Sequence, residues 1–112
     1  LSGDTLKFVS RGGLKLEGAL ADLKLQVAGF RCLDVGLSTG GFSDCLLKQG
    51  AKAILGIDVG RGQLHPSLQN HAQLTSLEGV NAKDLAKQTQ VRDWIQNGVD
   101  LCVVDVSFIS LE

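Results

Sequence analysis

The amino-acid sequence predicts an α/β fold in which a parallel sheet is flanked by helices. Apolar runs of strand length alternate with segments of helical periodicity, which is typical of parallel strands joined by right-handed crossovers. The last run, "VDLCVVDVSFIS", is almost continuously apolar and suits a strand buried on both faces. With 112 residues, 44% hydrophobic and 21% charged, the chain is expected to form one globular domain.

The first half of the chain predicts a helix, a strand and a second helix. Apolar residues at helical spacing predict the first helix over residues 12–27: Leu16, Leu20, Leu23 and Val27. "CLDV" then predicts a short strand. The second helix is expected over about 41–49, where Gly50 would end it.

The second half supplies the remaining strands. "AKAILGIDVG" predicts a strand that ends at Asp58, and "AQLTSLEGV" predicts a third strand. A helical turn is expected after Pro66, and helical signal covers residues 82–97, where Trp94 is interpreted as a packing aromatic. With "LCVVDV", the partial sheet has about four strands.

Three glycines follow the first predicted strand: Gly36, Gly40 and Gly41. A tight turn from strand to helix would need one of them, because glycine tolerates positive φ. Three favour a backbone that lets a ligand approach closely, beside the unpaired N–H groups of a helix N-terminus. The spacing is not the G-x-G-x-x-G of a dinucleotide site.

An aspartate stands at or near the end of three apolar runs: Asp34, Asp58 and Asp105. Carboxyl ends of parallel strands meet at one edge of a sheet, where ligands bind, although each aspartate could also be a helix cap or turn former. Asp34 suits the ammonium of an amino-acid moiety, and Asp58 suits paired hydrogen bonds to ribose hydroxyls. Both fit S-adenosylmethionine as the cofactor.

Charge and cysteine content limit the kinds of partner, metal site and cellular compartment that the sequence allows. The net charge of −1 excludes a whole-chain basic field, so any nucleic-acid contact must be local. Cys32, Cys45 and Cys102 lack C-x-x-C spacing and sit in apolar contexts, which predicts buried thiols in a reducing compartment and no metal site. The sequence shows no signal peptide or membrane span, so a cytoplasmic protein is expected.

Four motifs together resemble one family: "FVSRGGLKLEGAL", "CLDVGLSTGGFSDCLLKQGA", "GIDVGRGQL" and "VVDVSFISL". Between Phe8 and Leu111 they resemble the FtsJ-like RNA 2′-O-methyltransferases, in particular the TlyA (haemolysin A) group of ribosomal RNA methyltransferases. The resemblance implies a Rossmann-like fold dependent on S-adenosylmethionine, in which the first strand lies between the second strand and "LCVVDV".

The resemblance also implies a role for individual residues. Lys15 and Asp105 correspond to members of the family's catalytic Lys-Asp-Lys-Glu set, which works on the ribose 2′-hydroxyl. Without the family motifs, Lys15 could be an exposed helix lysine and Asp105 a strand-end cap. The implied cofactor contacts are to the methionine part (Asp34, Gly36, Ser38, Thr39, Gly40 and Gly41), the ribose (Asp58 and Val59) and the adenine (Asn81).

Family members carry an S4-type domain upstream and later strands with the second lysine and the glutamate, which these 112 residues do not include. Residues 1–112 are therefore expected to be the N-terminal, cofactor-binding part of a single methyltransferase domain, inactive alone. The implied partner is ribosomal RNA or a ribosomal subunit, with no membrane partner, and a homodimer could form through the strand edge at 101–106. The alternative is a non-catalytic nucleotide- or RNA-binding module with the same fold.

Overall fold

The computed structural model describes residues 8–104, which form a sheet of four parallel strands. The strands are β1 (Arg31–Val35), β2 (Ala53–Asp58), β3 (Leu74–Glu78) and β4 (Leu101–Val104). Their order is β3-β2-β1-β4, so β1 lies between β2 and β4 as the family resemblance implies. Val35 at the end of β1 aligns with Ile57 of β2 and Val104 of β4. The predicted α/β class and parallel sheet are confirmed.

Helices cover both faces of the sheet. They are α1 (Arg11–Leu23), α2 (Gly41–Lys48) and α3 (Thr89–Gln96), with 3-10 turns at Pro66–Leu68 and Ala82–Lys87. α1 and α2 pack with Cys32 and Ile54 on one face, and α3 packs with Leu33 and Leu55 on the other. The helical signal over 82–97 is therefore divided between a 3-10 turn and α3, and Trp94 packs against the second cluster.

α1 ends earlier than the apolar spacing predicts. Lys24 adopts a left-handed conformation with φ of 54°, and its N–H donates to the Ala21 carbonyl oxygen at 3.1 Å. The N–H of Leu25 donates to the Leu20 carbonyl oxygen at 2.9 Å, which completes a Schellman-type end. The expected place of Leu23 in the buried stripe is wrong, because it is 72% exposed in the last turn; Val27 is buried after the chain turns back.

The expectation that the last strand is buried on both faces is also wrong for residues 101–104. Val103 is buried toward α1 and α2, whereas Cys102 and Val104 are exposed, Val104 by 51%. Because side chains alternate along a strand, Cys102 and Val104 lie on the face of the sheet that α3 covers. The buried apolar cluster on that face includes no described residue of β4. The prediction of buried thiols holds for Cys32 and Cys45 and fails for Cys102.

The strand order reverses beside β1. The chain moves outward from β1 to β2 and β3, then returns to place β4 on the other side of β1. In open parallel sheets, ligands bind in the crevice beyond the carboxyl ends of the strands at such a reversal. Within residues 8–104, no helix has the length and apolar character needed to cross a membrane.

Candidate ligand cavity at the carboxyl ends of β1 and β2

A cavity of about 360 Å³ lies at the carboxyl ends of β1 and β2. Its volume falls in the range of small-molecule sites, about 300 to 1,000 Å³. The start of α1, the loop from β1 to α2, and the segment that follows β2 form its wall. The lining residues are Ser10, Gly12, Gly36, Leu37, Ser38, Thr39, Gly41, Phe42, Asp58, Val59 and Gln63.

The loop after β1 is fastened to the end of β2. Gly36 has φ of 87°, a left-handed conformation that favours glycine. The N–H groups of Gly36 and Leu37 both donate to the Ile57 carbonyl oxygen, at 2.8 and 2.9 Å. Ser38 is also left-handed, with φ of 52°. The loop is thus held in one shape by the protein itself.

Asp58 completes this attachment with its carboxylate. Oδ2 accepts a hydrogen bond from the Ser38 N–H at 2.8 Å, and Oδ1 accepts from the Gly60 N–H at 3.3 Å. A carboxylate offers about four acceptor positions, so both oxygens keep capacity for further donors. Asp58 therefore organises the cavity wall and presents acceptors to whatever the cavity holds.

Two of the three glycines make room for protein atoms. Gly40 has φ of 97°, and a Cβ there would lie 2.5 Å from Leu68 Cδ1. A Cβ on Gly41 would overlap Ser10 Oγ and lie 3.0 Å from the Gly13 nitrogen. Close packing of α1 and α2 therefore explains Gly41, although it also lines the cavity. The expectation that these glycines admit a ligand is not needed to account for either position.

Asp34 lies beneath the cavity rather than in its wall. It is fully buried, and its Oδ2 accepts a hydrogen bond from Ser43 Oγ of α2 at 2.6 Å. Asp34 is the fourth residue of β1 and shares the α2 face of that strand with Cys32, while Asp58 ends β2 and reaches the cavity. The structure therefore brings only Asp58 of these two to the cavity surface.

The remaining predicted residues lie in three different places. Lys15 is exposed on α1, one helical turn after the wall residue Gly12. Asn81 is outside the cavity wall, and its Oδ1 accepts a hydrogen bond from the Lys83 N–H at 3.1 Å. Asp105 lies outside the described residues. Thr39 and Val59 line the cavity, Val59 with 66% exposure.

The start of α1 is held in place by a buried carboxylate of α2. Asp44, 5% exposed, accepts a hydrogen bond from the Val9 N–H at 2.8 Å through Oδ2, which also lies 3.2 Å from Lys48 Nζ. This contact sets the segment that leads into Ser10 and Gly12, two wall residues that sequence reasoning missed. Their motif, "SRGG", was visible in the sequence, but the approach of α1 to α2 was not.

Sequence reasoning also missed three other wall residues: Leu37, Phe42 and Gln63. In the sequence, Leu37 and Phe42 cannot be distinguished from ordinary apolar residues. Gln63 lies in a turn-rich segment that shows no helix, strand or binding motif. Their signal was proximity to the glycine loop and to Asp58.

The described residues offer little other chemistry. Within residues 8–104, no three His, Cys, Asp or Glu side chains form a group that could hold a metal ion. Burial is the main cause that raises the pKa of the Cys32 thiol to about 11, and the Asp100 and Asp34 carboxylates add to it. The thiol therefore stays protonated at neutral pH.

A second, more open groove of about 750 Å³ lies beside α1. It is lined by Leu14, Glu17, Gly18, Leu20, Ala21, Lys24, Leu25, Gln26 and Gln49. It is larger than the cavity, but none of the described residues at the carboxyl ends of the strands lines it. Of these two sites, the smaller cavity is the one at the carboxyl ends of the strands, where parallel sheets bind ligands.

A parallel sheet whose carboxyl edge carries a glycine loop, two helix N-termini and a strand-end aspartate is typical of domains that bind nucleotide-like ligands. The sequence profile of the FtsJ-like methyltransferases matches residues 8–112. The chain belongs to this family.

Individual proteins similar to this chain support its membership of the family. Hemolysin A of Brachyspira hyodysenteriae is 47% identical over 95% of the chain, which covers 42% of that protein. The 16S/23S rRNA (cytidine-2′-O)-methyltransferase TlyA of Mycobacterium tuberculosis (strain H37Rv) is 49% identical over 93% of the chain, which covers 37% of it. A solved structure of a Lactococcus lactis protein named as a hemolysin superimposes with a TM-score of 0.79 at 42% identity, covering 96% of this chain and 50% of that one. The chain thus spans about two fifths of the length of these two curated relatives.

Proposed function

We propose that this chain is the cofactor-binding part of an S-adenosylmethionine-dependent methyltransferase that modifies ribose 2′-hydroxyls of ribosomal RNA. The observation that carries the proposal is the cavity beyond β1 and β2, which combines Asp58 with the starts of two helices. The names of the relatives support the RNA substrate. On this proposal, the partner is ribosomal RNA or a ribosomal subunit, and the protein works in the cytoplasm.

The donors and acceptors of the cavity suit the parts of this cofactor. The Asp58 carboxylate can accept hydrogen bonds from two ribose hydroxyls, and the exposed Val59 side chain next to it can contact the base. Helix N-termini favour negative charge, so the starts of α1 and α2 at Gly12 and Gly41 suit the methionine carboxylate.

The loop and the strand beneath it complete the proposed methionine site. Gly36, Ser38, Thr39 and Gly40 shape the loop around this part of the ligand. The buried carboxylate of Asp34 would stabilise a cationic group above it electrostatically, without direct contact. Asn81 stays a proposed neighbour of the adenine.

The proposed chemistry needs residues that act on a weakly acidic hydroxyl. When bound, S-adenosylmethionine supplies an electrophilic methyl group. Lys15 lies one turn along α1 from the cavity wall, and its amine would hold the 2′-hydroxyl or its developing negative charge. Asp105 would orient that amine. Residues 1–112 would bind the cofactor and supply Lys15 and Asp105 to this chemistry.

Calorimetric titration of the 112-residue chain with S-adenosylhomocysteine tests the proposal. We expect Asp58→Ala to weaken binding by about tenfold or more, because a charged acceptor contributes about 1.5 to 3 kcal/mol. The matched control is Asp93→Ala, which removes an exposed carboxylate from α3 and should bind as the parent does.

Circular dichroism establishes that each variant is folded, and Asp58→Asn keeps an acceptor for the Ser38 N–H. A folded parent chain that gives no heat, or an Asp58→Ala variant with parental affinity, would overturn the proposal.

A further inference from the structure

Gln63 is a wall residue of the cavity, and its side-chain amide makes no hydrogen bond to any residue that the structure describes. We propose that this amide recognises the 6-amino edge of the adenine, its carbonyl oxygen accepting from the amino group and its NH₂ donating to a ring nitrogen. The inference rests on the proposed function, since it assumes that the cavity binds the adenosyl group of S-adenosylmethionine.

The backbone of the loop after β2 makes room for this amide. A Cβ on Gly60 would lie 2.8 Å from Gln63 Nε2 and 3.2 Å from Gln63 Cδ, so the amide rests against the Gly60 backbone. The Gly60 N–H in turn donates to Asp58 Oδ1 at 3.3 Å. Gln63 therefore places its amide at the end of the cavity where Asp58 presents its carboxylate.

The Gln63 amide has its hydrogen-bonding capacity available. Among residues 8–104, no hydrogen bond engages the Gln63 side chain, which is exposed at the cavity wall. The amide predicted for the adenine from family resemblance, that of Asn81, uses its oxygen to accept from the Lys83 N–H and does not line the cavity. Of these two amides, only that of Gln63 borders the cavity.

The chemistry of the neighbouring residues points to a base rather than a second sugar contact. Val59 offers an exposed apolar surface between Asp58 and the Gly60 turn, against which a flat ring can pack. A glutamine amide has the donor and acceptor that match those of adenine. Glutamine side chains form this pair of hydrogen bonds with adenine in protein–DNA complexes. On this proposal, Asp58 binds the ribose and Gln63 binds the base of the same nucleoside.

The test is a calorimetric cycle with two ligands. S-adenosylhomocysteine is compared with its analogue in which purine replaces adenine, so that only the 6-amino group is missing. We expect the parent chain to prefer the adenine ligand by about fivefold, the contribution of one neutral hydrogen bond. Gln63→Ala should reduce this preference to below about twofold.

Two further variants separate recognition from structure. Gln63→Glu keeps an acceptor for the amino group and should retain the preference, whereas Gln90→Ala removes an exposed glutamine from α3 and should behave as the parent. If the chain binds S-adenosylhomocysteine and Gln63→Ala keeps the parental preference, the inference is wrong and the proposed function stands. If the folded chain binds neither ligand, both are wrong.

Discussion

Gly41 lies where the starts of α1 and α2 come together, and its missing side chain permits that approach. An added Cβ would overlap Ser10 Oγ and approach the Gly13 nitrogen to 3.0 Å. We expect Gly41→Ala to lower the free energy of unfolding by about 1 to 3 kcal/mol, the usual effect of overpacking. Urea denaturation monitored by circular dichroism measures the difference.

Gly18 provides the matched control on α1. A Cβ on Gly18 meets no atom of residues 8–104 within 4 Å, so Gly18→Ala should leave stability unchanged or raise it by about 0.5 to 1 kcal/mol through helix propensity. Equal stabilities for the two alanine variants would contradict the packing role of Gly41.

Asp34 and Asp58 show how far a single residue can be interpreted from sequence. Both stand near strand ends, and the sequence therefore predicted both at one ligand site. Side chains alternate along a strand, and Asp34 shares the face of Cys32, where it meets Ser43 of α2 at 2.6 Å. Asp58 is the last residue of β2 and turns into the loop contact with Ser38. Asp34 aligns with Gly56 of β2, so Asp58 lies two residues nearer the carboxyl edge of the sheet. The sequence predicts that β2 ends at Asp58, but it does not give the register between the two strands.

Arg31 contacts α3 and the loop that follows it, at the end of the sheet opposite the cavity. Its Nε donates to the Gly98 carbonyl oxygen and its Nη2 to the Trp94 carbonyl oxygen, both at 2.8 Å, and its guanidinium lies 4.0 Å from the centre of the Trp94 ring. The Arg31 N–H donates to Asp100 Oδ2 at 2.9 Å. One side chain thus satisfies carbonyl groups at the end of α3 and ties that helix to the start of β1.

β4 is the outermost strand of the described sheet on its side. Its residues pair with β1, and its exposed side chains include Val104. Open strand edges with apolar side chains favour pairing with another chain, so we expect the 112-residue chain to self-associate through residues 101–106. Sedimentation over a range of concentrations measures this.

Charge at this edge should oppose association. Val104→Lys should shift the chain toward monomer, because lysine on an edge strand disfavours pairing. The control, Leu23→Lys, changes an exposed leucine of α1 and should associate as the parent does. A parent chain that stays monomeric at high concentration, or a Val104→Lys variant that associates fully, would contradict this expectation.

At the scale of the whole molecule, periodicity predicted the class of fold and the number of strands, because alternating strands and helices have few arrangements. The same reasoning misplaced the end of α1, which depends on the left-handed Lys24, and the burial of Cys102, which depends on how far α3 extends over the sheet. The cavity wall was predicted only where it follows strand ends. Ser10 and Gln63 reach it through tertiary packing, which no local pattern records.

The central claim is that S-adenosylmethionine binds beyond β1 and β2, and amide NMR spectra of the chain titrated with S-adenosylhomocysteine test it most directly. We expect the largest shift changes at Ser38, Gly41 and Val59, which line the cavity. Changes confined to the groove beside α1, at Gly18 and Lys24, with the cavity amides unmoved, would contradict it.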